Sequence, residues 1–290
     1  MRSRTGSRST TVVPRSTYVV DRLAADEKAL LHQLAVIGRQ FPLSLVRQVV
    51  AQPEEELYHL LASLQRKEFL YEQPTFPKPD YIFKHALTQE VAYGTVPRAV
   101  RRERHANVAR YVEDHLGGES LAAILAYHWR EADEPARALP YLLAAAYTAR
   151  RSWAKAAAID LYTRALESAE DESARRKIRL QRGQALVEMQ DYEQASTELE
   201  PLLVELDGGE KLEALIWLGL ATLWSERDAD TIATAEQALA LARELGEQSS
   251  TAAAVALMSQ GLAMRGDEGD LDRADELGDQ ALELWIPETR

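Results

Sequence analysis

His85 is the side chain whose type and setting point to specific chemistry. It lies in Tyr81-Ile82-Phe83-Lys84-His85-Ala86, where a short alternating run passes into a helical pattern. An imidazole there can donate and accept hydrogen bonds. It can equally cap the helix or pack at the junction. The other histidines, at 32, 59, 105, 115 and 128, form no His-Glu-x-x-His motif and no close ligand pair on one turn, so no metal site is expected. His128, in Tyr127-His128-Trp129, reads as a packing residue. The absence of cysteine excludes disulfides, thiolate metal sites and cysteine nucleophiles. Without a Gly-x-x-x-x-Gly-Lys-Ser/Thr loop the chain cannot hydrolyse ATP by the P-loop route. A Gly-x-Ser-x-Gly elbow is also missing. The many carboxylates fall on helix faces, where a solvated charge is the default. The chain is therefore expected to be no enzyme and to hold no cofactor of its own.

Three helical patterns and two short strands set up that junction. Leu30, Leu31, Leu34, Ala35 and Ile37 share one face of a helix over 26–37. A short helix follows over 43–50. A third starts at Pro53 and runs to about Lys67, with Glu54, Glu55 and Glu56 at the positive end of its dipole. Phe69–Glu72 and Tyr81–Lys84 read as strands around a loop with prolines at 74, 77 and 79. Three helices and a hairpin are the order of a winged helix. Its third helix is acidic and the whole chain carries a net charge of −12, so nucleic acid is an unlikely partner. DNA binding by the winged helix stays as the alternative function. Arg98, Arg101, Arg102, Arg104 and His105 are expected on the solvated face of the next helix, opposite Val96, Val100, Val108, Tyr111 and Val112.

From Ser120 onward the pattern is helical and periodic. Small residues mark it at Ala158, Ala195 and Thr231, thirty-seven and thirty-six residues apart, with a later copy at Ala274. Ala146, Gly183 and Gly219 precede the first three markers by twelve residues, where small side chains let paired helices cross closely. This period resembles the tetratricopeptide repeat; an irregular helical bundle is the other reading. Such an array offers its first helices as a concave face for a peptide or protein. In this register the face holds Leu143, Tyr147, Arg150, Arg151, Gln184, Val187, Ile216, Leu220, Leu223 and Trp224. Trp224 and Trp217 are anchor types. Trp217 is expected to be the more buried; Trp224 is either exposed in the groove or packed between helices.

The run Phe83-x-His85-x-Leu87-x-x-Glu90-x-x-Tyr93, with Ile82 in place of an aromatic, resembles the end of the winged helix in bacterial signal-transduction ATPases. Those with tetratricopeptide repeats, linked to class III adenylate or guanylate cyclases, are the most similar. The resemblance implies a nucleotide-phosphate sensor at His85, a P-loop ATPase domain in cis or trans, and ATP or ADP as that domain's ligand. The expected fold is mainly α, a winged-helix module followed by a tetratricopeptide-like α-solenoid. The expected domains are a disordered leader at 1–21, the winged helix with its basic helix at 22–117, and the repeats at 118–290, divided near Gly208-Gly209. The array is expected to be truncated, since Leu284–Arg290 follows a second-type helix with no polar capping helix. The Arg/Ser/Thr-rich start has no apolar core and could mimic a transit peptide; the cytoplasm is the expected location, with no membrane partner.

Overall fold

The computed structural model describes residues 20–50, 52–75, 79–116 and 121–285. Most of the expected leader, the boundary at Gly117 and the last five residues lie outside them. In the first unit the order is α1 (Ala25–Ile37), β1 (Gln40–Pro42), α2 (Leu43–Val49), α3 (Glu54–Arg66), β2 (Leu70–Gln73) and β3 (Asp80–Phe83). Then come α4 (Ala86–Thr95), α5 (Arg98–His115) and α6 (Ala122–Glu131). β3 is central in an antiparallel sheet ordered β1-β3-β2, with Phe41 opposite Tyr81 and Leu70 opposite Phe83. β1 is an addition to the expected hairpin. Three residues are too few to show alternation.

The core of this unit follows from side-chain spacing. Leu30, Leu31 and Leu34 of α1 meet Leu57, Leu61 and Leu64 of α3, all essentially inaccessible. Phe41 and Phe83 meet edge to face at 6.0 Å beneath the sheet. Glu27 fixes α1 against α3: its buried carboxylate accepts from Ala24 N–H at 3.0 Å, Ser63 Oγ at 2.6 Å and Lys67 Nζ at 2.6 Å. These donors stabilise the ionised form and hold its pKa down to about 2, with Lys67 first and Ser63 next.

The first compact unit ends at Glu134 and the second begins at Pro135, so α6 belongs with the first. The second holds α7 (Pro135–Arg151), α8 (Lys155–Ser168), α9 (Glu172–Glu188), α10 (Tyr192–Leu199), α11 (Gly208–Trp224), α12 (Asp228–Leu245), α13 (Gln248–Arg265) and α14 (Asp270–Trp285). Each helix packs on the next, giving a tetratricopeptide-like α-solenoid of four helical pairs. First-type helices also pack across pairs, α9 on α11 and α11 on α13, which makes theirs the inner layer.

The small residues sit where helices approach. A Cβ on Gly183 would lie 2.5 Å from Leu199 of α10, and one on Gly219 would lie 3.0 Å from Leu257 of α13. The turns inside the four pairs each place a residue in the left-handed region, at Trp153, Gln190, Glu226 and Gly266. No boundary falls at Gly208-Gly209. Leu199 and Leu202 before it share one buried cluster with Ala214 and Leu218 after it, so the core runs straight through.

Candidate functional site

His85 occupies the N-cap position of α4 with extended backbone, φ −127° and ψ 130°. Its side chain makes no capping hydrogen bond and is exposed. The motif around it divides by direction. Phe83 is buried in the sheet core and Tyr93 reaches into a buried network, whereas His85, Leu87 and Glu90 face outward. Leu87 is 51% exposed. α4 carries no acid in its first turn, so its positive end is uncompensated beside His85.

The inner face of the second unit is organised by Arg150. Its guanidinium forks onto Glu188, Nε at 3.1 Å and Nη2 at 2.8 Å from Oε1, and Nη1 donates to Gln184 Oε1 at 2.8 Å. Gln184 Nε2 in turn donates to Glu213 Oε1 at 2.5 Å. The chain Arg150–Gln184–Glu213 thus crosses α7, α9 and α11. Glu188 raises the Arg150 pKa further by bonding its charged form. Arg150 also lies 5.8 Å over the Trp217 ring, which is half-buried. Beside this network Tyr147, Arg150, Arg151, Trp153, Lys155 and Glu188 line a cavity of about 440 Å³. Lys155 Nζ sits 4.5 Å over Trp153 and donates to the Glu188 carbonyl.

Several residues expected on this face are elsewhere. Leu223 and Val187 are buried in the inter-helix cores, 2% and 7% exposed, because the helices pack on both sides of the positions they occupy. Gln184 is buried too, as a link in the polar chain. Leu143, Ile216 and Leu220 are partly buried. Tyr147 and Trp224 remain open, 55% and 62% exposed, and Arg151 is exposed with its Nη1 on Tyr147 Oη at 3.1 Å. Trp153, Lys155, Glu188 and Glu213 join the face unpredicted. Helical periodicity gives no signal for Trp153, which projects from a turn.

A second cluster lies in the first unit, and sequence spacing hid it. His105 and His128 are buried, 0% and 2% exposed, with Nδ1 atoms 2.8 Å apart. His105 therefore leaves the solvated face expected for it, and of that run Arg98 alone is fully exposed, with Arg101, Arg102 and Arg104 half-buried. Burial lowers the His105 pKa to about 4 and that of His128 to about 3. His128 also bonds the Ile37 carbonyl of α1. Tyr93 Oη lies 3.0 Å from His105 Nε2 and 2.8 Å from Glu131 Oε2. With both imidazoles neutral, two ring protons serve the His105–His128 and His128–Ile37 contacts. The single Tyr93 proton is then left facing two acceptors. Among the described residues no group of three or more histidines and carboxylates is placed to hold a metal. No described helix is long and apolar enough to cross a membrane.

No protein-family model matches the chain, and no curated protein matches it either. Among solved structures it is similar to BtubC (BKLC) from P. vanneervenii, at 16% identity and TM-score 0.49, over 85% of this chain and 92% of that one. It is also similar to a signal-transduction ATPase with numerous domains from Pyrococcus horikoshii, which carries a tetratricopeptide repeat sensor. That match has 13% identity and TM-score 0.40, over 95% of this chain and 47% of that one. A Podosopora anserina protein with nearly identical, kinesin light chain-type TPR-like repeats matches at 14% identity and TM-score 0.36, over 64% of this chain and 86% of that one.

Proposed function

We propose that the chain is a non-catalytic regulatory scaffold whose repeats bind a protein or peptide on the inner face of α7, α9 and α11. The observation that carries this reading is the exposure of Tyr147 on α7 and Trp224 on α11, two of the three helices that the polar chain Arg150–Gln184–Glu213 joins. Exposed aromatics on rigid helices contribute large contact area at small entropic cost, and Trp, Tyr and Arg dominate binding hot spots. In this reading the first unit is a winged-helix module. It couples the repeats to a P-loop ATPase domain through the outward row His85, Leu87 and Glu90, with His85 contacting nucleotide phosphate there. The exposed acids Glu54, Glu55 and Glu56 on α3 disfavour the alternative of DNA binding.

The test is a quantified pull-down from the native cytoplasm, with captured partners identified and then titrated in purified form. Trp224→Ala should weaken a partner of the inner face by about tenfold or more, the loss of one hot-spot side chain. Leu271→Ala, on exposed α14, should leave the same affinity unchanged. Equal binding by the wild type and Trp224→Ala would remove the inner face from the reading.

A further inference from the structure

We propose that the start of α5 forms a binding site for a phosphoryl anion. A cavity of about 210 Å³ opens there, lined by Tyr93, Arg98, Arg101, Arg102, Arg130, Glu131 and Asp133. Four cations and two carboxylates surround it, in a chain whose overall charge is −12. Both carboxylates are engaged. Asp133 pairs with Arg102 at 2.5 Å, and Glu131 accepts from Tyr93 at 2.8 Å. Arg98 and Arg101 make no ion pair among the described residues; Arg101 instead lies over the Tyr93 ring, 4.7 Å from its centroid.

The placement of these arginines runs against helix physics. A helix N-terminus is the positive end of the dipole and disfavours cations. Arg98, Arg101 and Arg102 are spaced three and four apart, so they also repel one another on a single face. Acids stand in the first turns of α1, α3, α9, α10, α11, α12 and α14, where they suit the dipole. α5 has none. Arg98 and Arg101 stand in their place, at the edge of the cavity. A phosphoryl group supplies what the site lacks. Its oxygens accept from the two planar guanidinium forks of Arg98 and Arg101 and from the backbone N–H groups of the first turn, and its charge complements those two cations. The cavity admits a phosphate group, free or at the end of a nucleotide. This proposal stands apart from the inner-face reading, since it uses no residue of the repeats.

Inorganic phosphate, ADP and adenosine are titrated separately into the whole chain, at ionic strength held constant with sodium chloride. Binding is read by calorimetry and by the thermal midpoint. Phosphate and ADP should bind and raise the midpoint; adenosine should do neither. Equal affinities would mark the free anion as ligand, and tighter ADP a nucleotide. Arg98→Gln with Arg101→Gln should weaken binding by at least about tenfold, as expected for losing charge-assisted hydrogen bonds. Without anion that variant should melt no lower than the wild type, because it relieves like-charge repulsion at the dipole's positive end. Arg164→Gln, at an exposed ion pair of the second unit, should bind as the wild type does. Binding of neither phosphate nor ADP, or an undiminished response in the double variant, overturns the site.

Discussion

At the scale of single residues, the buried imidazoles dominate the pH behaviour. Both His105 and His128 have folded-state pKa values below the usual 6.5, because burial penalises the charged form. The unfolded chain therefore binds more protons than the folded one as pH drops through 6.5, and stability falls in that direction. The window runs from about pH 6.5 down to about 4 for His105 and about 3 for His128, with a slope of up to about 1.4 kcal/mol per pH unit for each ring. Glu27 acts in a lower window. Its depressed pKa keeps its contribution whole above 4.5 and loses it as pH falls towards about 2. Urea unfolding of the wild type at pH 7 and pH 5 should show the upper loss. His105→Gln with His128→Gln should flatten it, and an unchanged slope would contradict the assignment. Of this, only the packing of His128 is legible in the sequence. The two rings are 23 positions apart, and only the packing of α5 on α6 brings them together.

At the scale of elements, close helix approach and left-handed turns set the energetics of the array. Gly183→Ala forces a methyl against the buried Leu199, an overpacking that costs about 1–3 kcal/mol and should lower the thermal midpoint of the second unit by several degrees. Glu226→Gly should do the reverse. Glu226 holds φ 57° without being glycine, and relief of that strain exceeds glycine's added chain entropy by about 0.5–1 kcal/mol. Differential scanning calorimetry on the two variants checks both signs. Elements were the most legible scale. The helix at 135–151 is legible to its ends because its apolar period is clean and Pro135 starts it. The small-residue markers at Gly183 and Gly219 found real crossings. The inner-face register departs from the spacing at Val187 and Leu223, which lie on a flank that a neighbouring helix also covers. Periodicity reports one buried face per helix, and a solenoid helix is covered on more than one.

At the scale of the molecule, two units with separate cores divide the labour in the proposed reading. The repeats carry the partner face, and the first unit carries His85 at an uncompensated helix start. In a longer relative that includes the nucleotide domain, replacing the histidine equivalent to His85 with Ala should change ADP retention during gel filtration. Retention equal to that of the unsubstituted protein would assign His85 to the surface alone. The net charge of −12 disfavours nucleic acid in this reading, and the arginine-lined cavity at α5 stands out against it.

The β1–β3 pairing also has a consequence for the order of folding. Phe41 finds its cross-strand neighbour forty residues further along the chain, at Tyr81. During synthesis α1, β1 and α2 must therefore wait, with Phe41 unsheltered, until β3 has emerged. The helical pairs of the array join neighbours in sequence and can close as each second helix appears. The unit made first thus includes the contact of longer reach, and Phe41 lacks its cross-strand neighbour during that interval.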